Sequence, residues 1–213
     1  MEEHGFRGTY YVSAGLLDYT SQVGKIVDIE TLRLFHERGH EIGNHTYDHM
    51  DCQKASLLGI LKSVRRNRRR LTGIMSGSFA YPYGARNARA CVAARLCAGS
   101  ARGISFGINK KVVDLMDLKA ARVYSRDGMD DCLELVSECA RRGGWLIFYT
   151  HDVCNEPSEY GCTPEQLTCL IRSVHDKKLT VATVGKALQL IEQAGGKKGC
   201  FVNQESQGDR LCH

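Results

Sequence analysis

The sequence contains no long apolar run, and this absence limits where the protein can act. No stretch approaches the ~18 consecutive apolar residues of a transmembrane helix. Residues 1–5 lack the apolar core of a secretory signal peptide. We therefore expect a soluble protein without a membrane partner, and the cytoplasm is the preferred compartment.

None of the ten cysteines belongs to a Cys-x-x-Cys pair, which argues against a cysteine-type structural zinc site. Cys132 and Cys139 are spaced to share one face of a helix. Buried thiols in a reducing compartment are the preferred interpretation. The even number leaves disulfides open, and Cys154 and Cys162, which flank a polar loop, are one candidate pair.

The positive charge is modest, since 29 Lys and Arg against 24 Asp and Glu give +5. Much of it lies in one run from Arg65 to Arg70, near the end of a predicted helix, where it would complement the helix dipole. A solvated helix face is the preferred interpretation. Nucleic-acid binding through this run remains a weaker alternative, because no aromatic side chains alternate with the arginines to stack on bases.

The pattern of the chain alternates short apolar strands with amphipathic helices, which predicts an α/β fold with a parallel sheet or barrel. We see no internal repeat and no linker. One domain is therefore expected over residues 1–195, followed by a flexible tail over residues 196–213. The predicted strands cover residues 9–12, 41–44, 78–81, 103–106, 121–124, 145–149 and 179–183. The predicted helices cover residues 28–38, 53–71, 87–96, 129–142, 163–175 and 185–194.

The sharpest feature is the segment His45-Thr46-Tyr47-Asp48-His49, which follows a predicted strand. On a helical turn, residues four apart lie on one face, so the two imidazoles could reach a single metal ion. Two unrelated surface histidines are the alternative interpretation.

Position favours the metal interpretation, because reacting groups in parallel α/β folds collect where strands end. Two further segments follow predicted strands, Tyr81-Pro82-Tyr83-Gly84 and His151-Asp152. A histidine near a metal can act as a general acid, since its pKa lies near neutrality. The alternative for His151 is a core histidine that is hydrogen-bonded to the backbone.

These segments resemble the motifs of the polysaccharide deacetylases, carbohydrate esterase family four. Residues 39–49 are similar to the family's second motif, Tyr81 to Gly84 to its third, and residues 149–153 to its fifth. Residues 4–12 are similar to its second strand. The resemblance extends over about residues 4–192 and implies a distorted (β/α)7 TIM-like barrel, incomplete at its N-terminus.

The resemblance also implies an activity and a set of roles. Family members hydrolyse N- or O-acetyl groups on sugars such as chitin, peptidoglycan or xylan, with a divalent metal, zinc first and cobalt as another candidate. His45 and His49 would hold the metal, and His151 would be the general acid. Tyr81, Pro82, Tyr83 and Gly84 would form the groove wall, with the Tyr83 backbone N–H on the oxyanion. The expected partner is an acetylated oligo- or polysaccharide.

The sequence departs from the family pattern in three places. The first motif, a strand ending in Asp-Asp that would supply the metal aspartate and the base, would precede His4 and is not in the chain. Ala80 stands where the third motif has an arginine, and the fourth motif has no clear match, although Arg122 could supply a substitute cation.

Four explanations of the missing first motif stay open. The chain is a fragment or starts at a mis-assigned methionine, a neighbouring subunit lends the group, the site is inactive, or Asp48, Asp51 or Asp152 serves as the third ligand. We expect a truncated member of the family. A catalytically impaired relative that binds glycans is the main alternative function.

Overall fold

The computed structural model describes residues 1–194 and the backbone of Leu211–Cys212. The strands are β1 (Thr9–Val12), β2 (Thr20–Ser21), β3 (Gly24–Lys25), β4 (Glu41–Asn44), β5 (Met75–Ala80), β6 (Ser100–Arg102), β7 (Ala121–Arg122), β8 (Trp145–Leu146), β9 (Phe148–Tyr149), β10 (Thr180–Val181) and β11 (Leu211–Cys212). The helices are α1 (Ile29–Glu37), α2 (Leu57–Arg70), α3 (Ala88–Cys97), α4 (Asp130–Arg142), α5 (Pro164–Asp176) and α6 (Val184–Gln193).

Parallel strands form the main sheet, whose order is β1-β4-β5-β6. Two smaller parallel sheets, β10-β11-β8 and β7-β9, follow later in the chain. The expected α/β class with parallel strands and helices is thereby confirmed. Closure of these sheets into the expected seven-stranded barrel remains a prediction.

Five of the six α-helices of the described residues begin where a short polar side chain binds a free backbone N–H group, and α4 is the exception. The side chains of Asp28, Ser56 and Asn87 accept hydrogen bonds at the starts of α1, α2 and α3. At α5, Thr163 and Gln166 form a reciprocal capping box, with proline at the first helical position. The predicted helix starts near Asp28, Asn87 and Thr163 are therefore confirmed.

Most of the apolar side chains form two clusters. One lies between the main sheet and helices α2, α3 and α6, and includes Ile60, Phe79 and Ala187. The other joins α4 and α5 to the later strands, and includes Val136 and Leu146. A third, smaller cluster includes Ile42, in the strand that precedes His45, and Leu32 of α1.

Two predicted elements were placed wrongly. The segment 145–149 is not one strand, because β8 pairs with β11 whereas β9 pairs with β7. The strand predicted at residues 103–106 lies at Ser100–Arg102 instead. Residues 145–149 form a continuous apolar run without periodicity, so hydrogen bonding to neighbouring strands decided their division. Residues 103–106 do alternate, but Ile104 and Phe106 are exposed, and it is Ser100–Arg102 that pairs with β5.

The eight cysteines of the described part, Cys154 and Cys162 among them, are free thiols. Burial raises the pKa of Cys132 to about 11 and that of Cys52 to about 12, so these thiols stay protonated. No described helix has the length and apolar composition needed to span a bilayer. The tail predicted at residues 196–213 lies outside the described residues, apart from the short strand β11.

Candidate metal and acid–base site

The two candidate metal ligands lie on a loop and not on a helix. The prediction of a helical turn at residues 45–49 is wrong, because Thr46 (φ 60°) and His49 (φ 53°) adopt left-handed backbone conformations and α2 begins only at Leu57. The loop nevertheless brings the two imidazoles together, with the ring centres of His45 and His49 4.8 Å apart. Left-handed residues without glycine are strained, and such strain is common at functional sites.

Buried hydrogen bonds hold this loop in its conformation. The Asn44 side-chain oxygen accepts from the Thr46 backbone N–H at 3.0 Å, and the Thr46 hydroxyl accepts from the Met50 N–H at 3.1 Å. The Ser13 hydroxyl donates to the His45 carbonyl oxygen at 2.7 Å. The strained loop is thus stabilised by the residue that follows β1, by Asn44 of β4 and by a hydrogen bond of its own.

The environment of both rings favours neutral imidazoles. His45 Nδ1 lies 2.8 Å from the Ala80 carbonyl oxygen, which can only accept, so Nδ1 carries the hydrogen and Nε2 keeps its lone pair. Burial holds the pKa of His45 well below its usual value, and the neighbouring His49 lowers it further. Burial also lowers the pKa of His49. Metal ions bind neutral imidazole, so this donor pair suits a divalent cation.

The three candidate carboxylates do not complete this pair. Asp48 accepts from the Ser63 hydroxyl at 2.5 Å, Asp51 from the Gln53 N–H at 2.9 Å, and Asp152 from the Ser158 N–H at 2.8 Å. Within the described residues, no three His, Cys, Asp or Glu side chains lie close enough to share a metal ion. The described part therefore offers two metal donors, both imidazoles.

His151 follows β9 and stands among tyrosine rings. Its backbone N–H and its Nδ1 both lie within hydrogen-bonding distance of the Tyr160 carbonyl oxygen, at 3.1 and 3.3 Å. The ring keeps contact with solvent, yet partial burial lowers its pKa, and the Tyr160 carbonyl opposes this shift. With Nδ1–H held by a carbonyl, Nε2 is the atom that can take up and release a proton.

Only part of the turn at Tyr81 to Gly84 is exposed to solvent. Tyr81 packs in the core, where it is 1% exposed and donates its hydroxyl to the Met116 carbonyl oxygen. Tyr83 is 66% exposed, and its ring lies edge-on to His49 with centres 4.5 Å apart. Gly84 has a positive φ of 65° and faces Ile104 so closely that a Cβ would collide with it. Tyr83 therefore forms the wall beside the histidine pair.

Arg102, at the end of β6, is a site residue that the sequence analysis missed. Its guanidinium carbon lies 5.2 Å from the ring centre of Tyr11 and 4.5 Å from that of Tyr149. Its charge lowers the pKa of both His45 and His151, which places it near the two candidate centres.

The substitute cation considered from the sequence, Arg122, has a different environment. It pairs with Asp127 at 2.6 Å and is half exposed. Correct bounds for β6 would have revealed Arg102, since that strand ends on it.

Comparison with known proteins supports the resemblance. Residues 1–98 match the polysaccharide deacetylase family, a segment that contains His45, His49 and the turn at Tyr81 to Gly84. His151 lies beyond this match. No curated protein matches the sequence.

Solved structures share the fold. A family 4 acetyl xylan esterase from Clostridium thermocellum, solved with a cobalt ion, superposes with a TM-score of 0.60 at 17% identity, over 90% of this chain and 81% of that one. A family 4 domain of a xylanase from the hindgut metagenome of Trinervitermes trinervoides gives 0.56 at 14% identity, over 93% and 82%.

Other structural neighbours are matched over a smaller share of their own length. A Streptococcus pyogenes deacetylase, solved with acetate, has a TM-score of 0.48 and 20% identity over 61% of this chain. The matched region spans 58% of that protein and 37% of a Bacillus cereus polysaccharide deacetylase. Residues 1–98 thus match the polysaccharide deacetylase family, and the chain shares its fold with the family 4 carbohydrate esterases.

Proposed function

We propose that this protein is a metal-dependent hydrolase that removes acetyl groups from a carbohydrate. The observation that carries the proposal is the pair of neutral imidazoles, His45 and His49, beside the exposed ring of Tyr83. This arrangement lies within the segment that matches the polysaccharide deacetylases. Its proposed substrate is an acetylated oligo- or polysaccharide of the chitin, peptidoglycan or xylan type.

His45 and His49 would hold the metal through the ring nitrogens that face away from the backbone. A bound divalent cation supplies a positive charge that polarises an acetyl carbonyl and lowers the pKa of water. Zinc is the first candidate because imidazole suits it, and the cobalt ion in the Clostridium thermocellum esterase makes cobalt the second.

The remaining residues bind substrate and move a proton. The Tyr83 ring, 66% exposed, offers a flat apolar face to a sugar, and its backbone N–H is our candidate donor to the oxyanion. His151 would donate a proton from Nε2 to the leaving amine or alcohol. Partial burial lowers the pKa of His151, so less of the ring is protonated near neutral pH. Proton donation by His151 is therefore expected to be faster under mildly acidic conditions.

The test combines metal content with acetate release. We expect the wild-type protein to retain zinc or cobalt by elemental analysis, and the double variant His45→Ala, His49→Ala to retain none. His36→Ala is the matched control, since His36 is an exposed histidine on α1. Equal, negligible metal in the wild type and the double variant would overturn the proposal.

Catalysis is measured on acetylated chitin oligomers and acetylated xylan. His151→Ala is expected to lower kcat by about 10²–10⁴-fold with its metal content unchanged, as for the loss of a general acid. An unchanged kcat in this variant would remove His151 from the reaction.

A catalytically impaired glycan-binding protein is the second candidate. The observation that favours it is the absence, within the described residues, of a third metal donor beside His45 and His49. It predicts binding of chitin oligomers in calorimetry, without acetate release at any concentration of zinc or cobalt. The same two assays therefore separate the two functions.

Nucleic-acid binding has weaker support. Arg66 lies over the Tyr47 ring at 3.8 Å, and Arg68 donates to the Cys97 carbonyl oxygen at 2.9 Å. These intramolecular contacts hold both guanidinium groups against the protein, so fewer of their N–H donors remain for phosphates. Steeply salt-dependent DNA or RNA affinity would revive this function.

A further inference from the structure

We propose that Asp152 is a positioning residue for His151, because its carboxylate holds the turn at residues 158–161 and the Tyr160 carbonyl of this turn orients the His151 ring. The inference rests on the proposed function, in which His151 is the general acid, and adds a supporting residue to it. Its structural part, the tautomer and direction of the ring, is measurable without any hydrolysis.

The carbonyl oxygen of Tyr160 is the acceptor that orients the ring. It lies 3.3 Å from Nδ1 of His151, and it also accepts from the His151 backbone N–H at 3.1 Å and from the Thr150 hydroxyl at 3.4 Å. Because a carbonyl only accepts, Nδ1 carries the hydrogen and Nε2 is left for proton transfer. Displacement of this one carbonyl would therefore release the ring and change its tautomer.

The side chain of Asp152 holds the turn that carries this carbonyl. Its Oδ2 accepts from the Ser158 backbone N–H at 2.8 Å, and its Oδ1 accepts from the Ser158 hydroxyl at 2.6 Å. The oxygen of this hydroxyl in turn accepts from the Tyr160 backbone N–H at 3.2 Å. Hydrogen bonds to an ionised carboxylate are about twice as strong as neutral ones, so this chain of contacts fixes Tyr160 firmly.

The backbone of Asp152 also packs against the turn. A Cβ on Gly161 would lie 2.6 Å from the Asp152 backbone oxygen and would collide with Oδ1 as well, so the close approach requires glycine. Just after the turn, the Cys162 N–H donates to the same backbone oxygen at 3.0 Å. Asp152 therefore contacts the turn through both its side chain and its main chain.

The same contacts separate a positioning role of Asp152 from a role as metal ligand. Both of its carboxylate oxygens already accept from Ser158. Burial raises the pKa of Asp152, but the hydrogen bonds from Ser158 outweigh burial and lower it, so the group acts as an ionised acceptor within the turn. Loss of a positioning residue should leave the metal content unchanged, whereas loss of a ligand should reduce it.

The test compares Asp152→Ala with Asp152→Asn in the whole protein. Asparagine keeps hydrogen-bonding groups toward Ser158 without the charge, whereas alanine removes both bonds. Nitrogen-15 chemical shifts report the tautomer at a pH where the ring is neutral, and His151→Ala assigns the signal. We expect the wild type and Asp152→Asn to keep the hydrogen on Nδ1 and Asp152→Ala to shift it toward Nε2. An unchanged tautomer in a folded Asp152→Ala variant would overturn the proposal.

Kinetics show whether the orientation matters for the reaction. Asp152→Ala is expected to lower kcat on acetylated chitin oligomers by about 10–100-fold with KM and metal content unchanged, since a misdirected acid slows only proton transfer. Asp152→Asn should restore most of kcat. Equal losses in both variants would assign the effect to the charge, and loss of metal from Asp152→Ala would assign it to a ligand. Either result overturns the positioning role.

The control is Glu156→Ala, which removes an exposed carboxylate from the same loop and should match the wild type. A changed tautomer in this control would overturn the proposal, because the ring would then respond to any loss of charge nearby. If Asp152→Ala fails to fold, Ser158→Ala replaces it, since it removes the hydroxyl between Asp152 and Tyr160.

A folded Ser158→Ala variant that keeps its hydrogen fully on Nδ1 of His151 would equally overturn the role of the turn. The two levels of the inference also fail separately. A wild-type protein that releases no acetate contradicts the proposed function, while the tautomers of the wild type and of Asp152→Ala still decide whether Asp152 positions the ring.

Discussion

His45 donates a hydrogen bond from Nδ1 to the carbonyl oxygen of Ala80, 2.8 Å away at the end of the neighbouring strand. A backbone carbonyl cannot donate, so this contact fixes both the tautomer and the orientation of the ring. The second ring nitrogen then carries the free lone pair. This relation lets a loop that is not helical hold the His45 ring in a defined direction.

The metal should depend on both histidines together. With two donors, removal of either leaves a single imidazole, so His45→Ala and His49→Ala are each expected to lower the affinity for Co²⁺ by on the order of 100-fold or more. The double variant should bind hardly less than either single variant. Calorimetric titration with Co²⁺ measures all three, and near wild-type affinity in one single variant would contradict the shared site.

Gly43→Ala should destabilise the fold. A Cβ at this position would lie 2.6 Å from the Tyr11 ring and 2.8 Å from the Ser78 hydroxyl, so side chains must shift at a cost of about 1–3 kcal/mol. Gly77→Ala is the control, because its Cβ would meet no atom closer than 4.0 Å. Urea unfolding measures both, and equal stabilities for the two variants would contradict the packing.

Asn67→Ala should be more damaging than loss of a neighbouring arginine. The Asn67 side chain is fully buried, donates to the Val12 carbonyl oxygen at 2.7 Å, and accepts from the Ala14 N–H at 2.8 Å. Its loss leaves buried groups unpaired and is expected to cost about 2–4 kcal/mol of unfolding free energy.

Arg69→Ala is the matched control for Asn67 on the same helix. Arg69 is exposed, so its replacement should change the unfolding free energy by less than about 0.5 kcal/mol. Asn67 also bonds to Asn44, which supports the histidine loop, so metal affinity should fall in Asn67→Ala as well. A stable Asn67→Ala variant with normal metal affinity would contradict this role.

Glu138 should contribute to the pH dependence of stability. Its hydrogen bond and ion pair with Lys110, at 2.6 Å, lower its pKa, and the nearby Arg142 adds to the effect. A lowered carboxyl pKa stabilises the fold above the unfolded-state pKa, near 4.5, and this contribution is lost as the pH falls through the folded-state pKa.

Urea unfolding between pH 7 and pH 3 measures the contribution of Glu138. Glu138→Gln should lose less stability on acidification than the wild type. Glu134→Gln, at an exposed position of the same helix, should follow the wild type. A Glu138→Gln variant as sensitive to acid as the wild type would contradict the role of this pair.

Local sequence signals predicted the helices that begin at a capping side chain. The sequence predicted the caps at Asp28, Asn87 and Thr163, because a side-chain oxygen just before an amphipathic run can accept a hydrogen bond from a free backbone N–H of the first helical turn. The strand at Glu41–Asn44 was also predicted with its correct bounds. The split between β8 and β9 was not, because no local property shows which neighbouring strands will supply the hydrogen bonds.

The sequence by itself determined the α/β class and the association of His45 with His49, since strand–helix alternation and a short spacing are properties of neighbouring residues. Only the tertiary structure decided how the histidine loop bends and that Arg102 lies between Tyr11 and Tyr149. The contacts involved join residues far apart in the chain. The burial and the electrostatic environment of Arg102 depend on the packing of several strands, which no local sequence pattern predicts.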